Sequence, residues 1–424
     1  MQNNNQNDRG RHNLRILSYN VFMRPFVHTN KHGDYKWDRL YALLNDDRFM
    51  SCDIVALQEM FSLGSRRFRF LIDQCCCAHS RLDHHPFLDH VSMGAQWFPS
   101  GKLIDSGLVI LSKFPIVEKD SFIFTRGKHI DGWCTKGVLS ALIQIDDNNC
   151  QLLVITTHTQ AVYGSEDELN RGDAQKHSMM TTTTKERSYF EIQKSQLREM
   201  KRFLLRKRQQ HPTVPIVLLG DFNINARLFD ESPDDSLAAV SCTEEYRMMM
   251  RYLSWYTDEN GNGNNLVVIQ PSSTGEEQQQ QQAEPSTVTN SLLCSNRNNS
   301  SGEQQAAMQT TAAMTTETTR TNDWRDLVYE FQGKHPVTFA DGTWNDELNR
   351  WETVDTCLTH PLTYCARYRL DYIFYHDPTT ANVSSATTPT VKPVAAQVEP
   401  FFVTGHSFTQ LSDHYAVTCT LEIR

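Results

Sequence analysis

The sequence predicts a layered α/β or α+β domain. Two patterns carry that reading. The first is a recurrence of short Val/Ile/Leu-rich runs: LRILSYNV, DIVALQEM, GLVILSKFPI, VLSALIQI, LLVITTHT, PIVLLGDFNI, LDYIFY and HYAVTCTLEI. Their length suits strands buried on at least one face. The second is helical periodicity between them. ERSYFEIQKSQLREMKRFLLRKRQQ repeats apolar side chains at Phe190, Leu197, Met200, Phe203 and Leu204, close to a 3.6-residue period. WDRLYALLND and TEEYRMMMRYLSWY are shorter helical stretches.

With 424 residues, 39% of them hydrophobic, the chain can build a sizeable core. Residues 1–13 are polar and expected to be disordered, leaving 14–424 as a single domain. Two tracts break the pattern inside it. Residues 166–186 are too polar to pack, and 271–321 are a Gln/Ser/Thr/Ala/Asn-rich low-complexity stretch. Strand-like sequence resumes after the second tract, so it reads as an insertion within one domain. Each doubling of such a loop costs only about 0.6 kcal/mol in closure entropy. Residues 377–397 read as a second, smaller insertion.

A net charge of −9 argues against bulk attraction to nucleic acid, which depends on clustered Lys and Arg. The cysteines number eleven, an odd count, with no CxxC pair, so neither a disulfide framework nor a zinc knuckle is indicated. Reduced thiols imply a reducing compartment. The first residues lack the apolar core of a secretory signal, and no run approaches the roughly 20 apolar residues that cross a bilayer. The expected location is cytoplasmic or peripheral to a membrane.

Several strand runs finish on a residue that handles metals or protons: Asn20, Glu59, His158, then Asp221 with Asn223, Asp371, and the pair Asp413–His414. On a strand, adjacent Asp413 and His414 would face opposite ways. Placed on the loop before the last strand, both can reach one pocket. Each residue alone has an ordinary structural role as turn former, solvated end or salt-bridge partner. Together they put hard oxygen donors and imidazoles at one edge of a sheet. That donor set suits Mg²⁺, or Mn²⁺, better than zinc. A carboxylate-backed His and a divalent cation suit attack of water on a phosphodiester.

The ordered set YNVF, LQEMF, SGLVILSKFPI, THTQA, GDFNIN, RLDYIF and SDHYAV resembles the endonuclease/exonuclease/phosphatase superfamily. Within it, DGWCTKGV, with Asp131 and Lys136 in an Asp-x4-Lys-Gly element, THTQA and SFTQLSDHYAV resemble the neutral sphingomyelinases. The resemblance implies a four-layer α/β sandwich, two packed and mostly antiparallel sheets flanked by helices, with the site at one end. It implies Mg²⁺ (or Mn²⁺) held by Asn20, Glu59 and Asp413, with Asp221 and Asn223 at the phosphate or attacking water. His414 backed by Asp371 is then the base, His158 stabilises phosphoryl oxygens or the leaving group, and Lys136 orders the site through Asp131. The implied partner is sphingomyelin or a related choline phospholipid, met through peripheral membrane contact. A nuclease of the same superfamily and a non-catalytic scaffold are the alternatives. Secreted bacterial sphingomyelinases carry an aromatic-tipped hairpin before the final SDH, whereas VTGHSFTQL here is short, with Phe408 its only aromatic. Phe401, Phe402 and the aromatics around Trp344 and Trp351 are the remaining candidates for lipid contact.

Overall fold

A computed structural model describes residues 12–25, 33–63, 65–76, 87–95, 101–146, 150–163, 184–228, 239–257, 323–378 and 390–424. Its strands are β1 (His12–Met23), β2 (Ile54–Met60), β3 (Asp89–Ser92), β4 (Val109–Ser112), β5 (Ile116–Ile123), β6 (Gly137–Gln144), β7 (Gln151–His158), β8 (Ile216–Asp221), β9 (Arg325–Asp326), β10 (Gly342–Asn345), β11 (Arg350–Thr353), β12 (Asp371–His376), β13 (Val391–Glu399) and β14 (Ala416–Ile423). The helices are α1 (Lys36–Leu44), α2 (Asp47–Met50), α3 (Arg67–Cys76), α4 (Thr184–Gln210), α5 (Glu244–Leu253) and α6 (Leu327–Gln332).

Two six-stranded sheets form, ordered β13-β14-β1-β2-β4-β3 and β5-β6-β7-β8-β12-β9, and β10–β11 makes a separate hairpin. Each large sheet has one parallel pair at its centre, β1/β2 or β7/β8, and is otherwise antiparallel.

The period-2 pattern of the strands decides the layers. On β1, Leu14 and Ile16 enter a core shared with Leu139, Ile143, Val154, Leu219 and Ile373 of the other sheet. Leu17, Tyr19 and Val21 point the other way, onto Leu40, Leu43, Phe49 and Leu71 of α1, α2 and α3. The second sheet likewise packs Val138, Leu153 and Ile155 against Leu197, Met200, Phe203 and Leu204 of α4. The result is the expected four-layer sandwich. Each fully buried Leu, Ile or Phe in these layers contributes about 1.5–3 kcal/mol. Gln58 links the sheets through polar contacts, its Nε2 donating to Ser18 Oγ at 3.2 Å and Thr156 Oγ1 at 3.0 Å.

Several expectations change. His12 and Asn13 already pair with Ile423 and Glu422, so ordered strand begins before Leu14; residues 1–11 lie outside the described residues. Within 377–397, residues 391–397 belong to β13 and pair with β14. The strand was masked by Pro393, yet proline is tolerated on an edge strand, and a register shift follows it. Helix α4 starts at Thr184, inside the tract 166–186, whose residues up to 183 lie outside those described. The 271–321 tract does so entirely. Phe401 and Phe408 are core residues, and only Phe402 of the three is exposed. Trp344 and Trp351 pack edge to face on each other, and the guanidinium of Arg367 lies over Trp351.

The chain flanking the long tract is held together on both sides. Trp255 N donates to Asp323 Oδ1 at 3.2 Å, Ser254 Oγ bonds Asp323 Oδ2, and the Trp255 and Trp324 rings stack at 5.1 Å. Replacing residues 258–322 by a short Gly/Ser linker is therefore expected to leave the thermal unfolding midpoint within a few degrees of the parent. A collapse of cooperative unfolding would show that the tract is part of the core.

Candidate active site

Register brings the polar strand ends together. Across the parallel pair β7/β8, His158 stands opposite Asp221; across the antiparallel pair β8/β12, Asp221 stands opposite Asp371. In the first sheet, Asn20 is opposite Gln58, the residue before Glu59. The two sheets meet where Asn20 Nδ2 donates to Asp221 Oδ2 at 2.9 Å and to Glu59 Oε1 at 3.2 Å. Asp413 and His414 lie on the loop preceding β14, as the sequence argument required. Ser412 anchors that loop by donating from Oγ to Asn20 O at 2.6 Å.

The His414 ring is fixed from one side. Its Nδ1 lies 2.9 Å from Asp371 Oδ2, which leaves Nε2 facing Asp221 Oδ2 at 3.7 Å. Phe339 packs on the ring at 4.7 Å between centroids. Thr338 Oγ1 accepts from the backbone N–H groups of Leu370 and Asp371, which holds the start of β12 in place. Burial pulls the His414 imidazolium down, but the carboxylates of Asp371, Asp221 and Asp413 together outweigh it and raise the group to about 10.

His158 behaves oppositely. Burial, then the positive charges of Lys136 and His414, hold it well below its ordinary value, so it is neutral. Lys136 Nζ sits 3.0 Å from His158 Nε2 and donates to Thr159 O at 2.8 Å. An ammonium only donates, so Nε2 is an acceptor here and the proton is on Nδ1, which is buried without a hydrogen-bond partner. The positive charge on this side of the site is that of Lys136. Asp131 pairs with it at 3.0 Å. The same carboxylate accepts from Gln160 Nε2, Ala161 N and Tyr163 Oη at 2.9–3.0 Å, so it is fully engaged.

Asn223 has φ 49° and donates from Nδ2 to Thr159 O at 3.2 Å, while its backbone N–H bonds Asp221 Oδ1 at 2.9 Å. Asn223 thus lies in a left-handed turn just past the end of β8 and not in extended strand. Glu59 also has positive φ, 57°. It is allowed by Gly107 (φ +64°), where an added Cβ would lie 2.8 Å from Glu59 Cα.

All ten sequence-predicted residues thus gather at one end of the sandwich. Among the described His, Cys, Asp and Glu side chains, Asp221, Asp371 and His414 bring three possible ligand atoms within 4.8 Å of one another. Two of those three are already hydrogen-bonded to each other. The wider donor set fits a hard cation. Burial, opposed in part by His414, raises Asp221 to about 6 and Asp413 to about 7, with Asp371 and Glu59 adding repulsion respectively. Burial raises Glu59 as well, and Asp371 Oδ1 is buried without a hydrogen-bond partner. Negative charge is thus undercompensated. The nearby thiol of Cys134 is pushed up to about 12 by burial, so it offers no thiolate.

The supports of the site leave little signature in the residue pattern. Asp105 Oδ2 accepts from Ser62 N, Ser62 Oγ and Leu63 N, and its Oδ1 from Gly107 N, clamping the chain around Glu59. Fully buried Arg39 donates to the carbonyls of Asp34, Val21, Phe22 and Leu411. Only the Gly in SGLV hinted at a close backbone approach.

The chain belongs to the Endonuclease/Exonuclease/phosphatase family, whose family model matches residues 17–414. It is 26% identical over 402 residues to a sphingomyelinase of Dictyostelium discoideum, covering 88% of this chain and 72% of that protein. It is 27% identical over 244 residues to a sphingomyelinase C of Bacillus cereus, covering 56% of this chain and 63% of the relative. The solved structure of SmcL superposes with a TM-score of 0.48 at 17% identity, covering 97% of this chain and 99% of that one. Among the described residues no helix is long and apolar enough to cross a membrane.

Gly107→Ala is expected to destabilise the fold by about 1–3 kcal/mol, from the left-handed backbone and the clash with Glu59. Gly94→Ala, which meets nothing within 4 Å, is the control and should be near neutral. Denaturant unfolding of both variants measures the difference. Equal, negligible shifts would mean that Glu59 is not held by this contact.

Proposed function

We propose that the chain is a Mg²⁺-dependent phosphodiesterase that hydrolyses sphingomyelin to ceramide and phosphocholine. The observation that carries the reading is the Asp371–His414 pair, whose free Nε2 faces the Asp221 carboxylate beside Asn20 and Glu59. The family and the sphingomyelinase names of its relatives support the substrate class.

Asn20, Glu59 and Asp413 would hold the cation, with Asp221 and Asn223 beside it toward the phosphate or the attacking water. A bound Mg²⁺ supplies neutralisation of the crowded carboxylates and of the phosphoryl oxygens, and stabilises the leaving alkoxide. The carboxylates that raise His414 to about 10 would be neutralised by a bound cation, which would leave His414 neutral. With its Nδ1 proton held by Asp371, it then accepts a proton from water at Nε2 as the water oxygen bonds phosphorus. The bond from phosphorus to the ceramide oxygen breaks on the opposite side. That oxygen then takes a proton from solvent and leaves as the primary hydroxyl. Lys136 brings a buried positive charge next to the phosphoryl oxygens, and Asp131 fixes its position. His158 contributes a donated hydrogen bond only in its other tautomer, with the proton on Nε2 and Lys136 withdrawn to Asp131 and Thr159 O.

Purified protein incubated with sphingomyelin, lysophospholipids and an abasic DNA duplex, with Mg²⁺ or EDTA, tests the substrate. Phosphocholine release that requires Mg²⁺ is expected; cleavage of the duplex alone would overturn the reading. His414→Ala should lower kcat by about 10²–10⁴ with the fold intact. Lys136→Met should lower it by about 10²–10³, as for loss of one preorganised donor. A near-normal rate for His414→Ala would remove it as the base.

A further inference from the structure

Helix α1 buries one stripe, Leu40, Leu43 and Leu44, against the first sheet, and carries a second stripe that faces outward. Trp37 and Tyr41, one turn apart, make up that stripe and meet Phe70 of α3. The ring centroids are 5.6 Å apart for Trp37–Phe70, 5.1 Å for Tyr41–Phe70 and 6.1 Å for Trp37–Tyr41. Despite this contact Trp37 remains 39% and Tyr41 49% exposed, and Leu63, just before α3, is 38% exposed. Three touching aromatics on a surface are a patch, not a scattered apolar residue.

The patch is linked to the active site through Arg24. Trp37 follows Lys36, whose Nζ lies 3.1 Å from Asp34 Oδ2; Arg24 binds the same oxygen at 3.0 Å. Phe70 lies one turn beyond Arg67, which donates to Arg24 O at 3.3 Å. The Arg24 charge acts on both Glu59 and Asp413 inside the site. Around the rings, Arg66 and Arg69 are exposed, Arg69 being paired with Asp73 at 3.6 Å, Asp38 is an exposed acid, and Lys36 and Arg67 are buried. The positive charge that this face presents to solvent is therefore that of Arg66, Arg69 and the partly exposed Arg24.

Trp and Tyr settle at the headgroup level of a bilayer, and Arg and Lys match phosphate oxygens. We propose that the α1–α3 face, centred on Trp37, Tyr41 and Phe70, docks on a phospholipid bilayer and seats the active-site mouth at headgroup level. The occupant is a lipid surface because amphipathic rings and exposed arginines adjoin a site that, on the reading above, must take its substrate from a bilayer.

Co-sedimentation of the full chain with phosphatidylcholine/sphingomyelin vesicles tests this. Hydrolysis of the same vesicles is followed in parallel with that of a water-soluble phosphocholine diester below its aggregation concentration. Trp37→Ala/Tyr41→Ala is expected to weaken vesicle binding about tenfold or more and to slow vesicle hydrolysis alike, with turnover of the soluble ester within about twofold. Arg66→Glu, a surface change that leaves the rings in place, should weaken vesicle binding in the same direction, and Val117→Ala, exposed on β5, should not. Vesicle binding unchanged in both the ring variant and Arg66→Glu overturns the proposal. So does light scattering that shows a parent dimer turned monomer by the ring variant, which would assign the face to a second copy of this chain. Should the ring variant lose its cooperative unfolding, Arg66→Glu decides alone. Vesicle binding lost as expected without any sphingomyelin cleavage by the parent supports the docking face and removes only the substrate reading.

Discussion

Three buried carboxylates, Asp221, Asp371 and Asp413, and the partly buried Glu59 converge at one end of the sandwich, and the rest of the site is arranged around that crowding. Left alone, such a group repels itself, and burial raises the proton affinity of three of its members. The fold offsets part of this with His414 on Asp371 and with Lys136 behind His158. The remainder is an uncompensated negative field lined by oxygen donors, which is the environment that selects a hard divalent cation. Stability is given up for that field: an apolar end to the sandwich would need neither the imidazoles nor the positive φ at Glu59 and Asn223.

The architecture explains why residues so far apart in sequence can share one cluster. Each sheet contributes the ends of its central parallel pair, and parallel neighbours finish at the same edge. Asn20 and Glu59 come from one such pair and His158 and Asp221 from the other. Gln58 bridges the sheets beneath them and so fixes the spacing across the gap. Adding Asp371 at the start of antiparallel β12 and the Ser412–His414 loop before β14 completes the ring from the opposite chain direction.

Much of this was legible in the sequence. Apolar strands that end repeatedly in Asn, Glu, His and Asp identify the edge, and the Asp413–His414 pair requires a loop there. What was not legible follows from geometry that no periodicity reports. Strand β13 was hidden because Pro393 and its alanines suit an edge position and look like linker. Asp105 and Arg39 act through bonds to backbone groups, which leave no pattern in residue types. The tautomer of His158 depends on Lys136, 22 positions away, coming within hydrogen-bonding distance. The expected metal set, Asn20, Glu59 and Asp413, is at the site; that Asp221, Asp371 and His414 also bring possible ligand atoms together was not legible, because the sequence could not show that strand register places Asp371 opposite Asp221.

The central claim is that the carboxylate cluster is a cation site. Anomalous diffraction from crystals grown with Mn²⁺ locates such an ion without reference to activity. One strong peak is expected within coordination distance of the Glu59 carboxylate, bordered by Asn20, Asp221 and Asp413, and so is its loss in Glu59→Gln. Clear density for these side chains with no peak among them, or a peak confined to the protein surface, would contradict it.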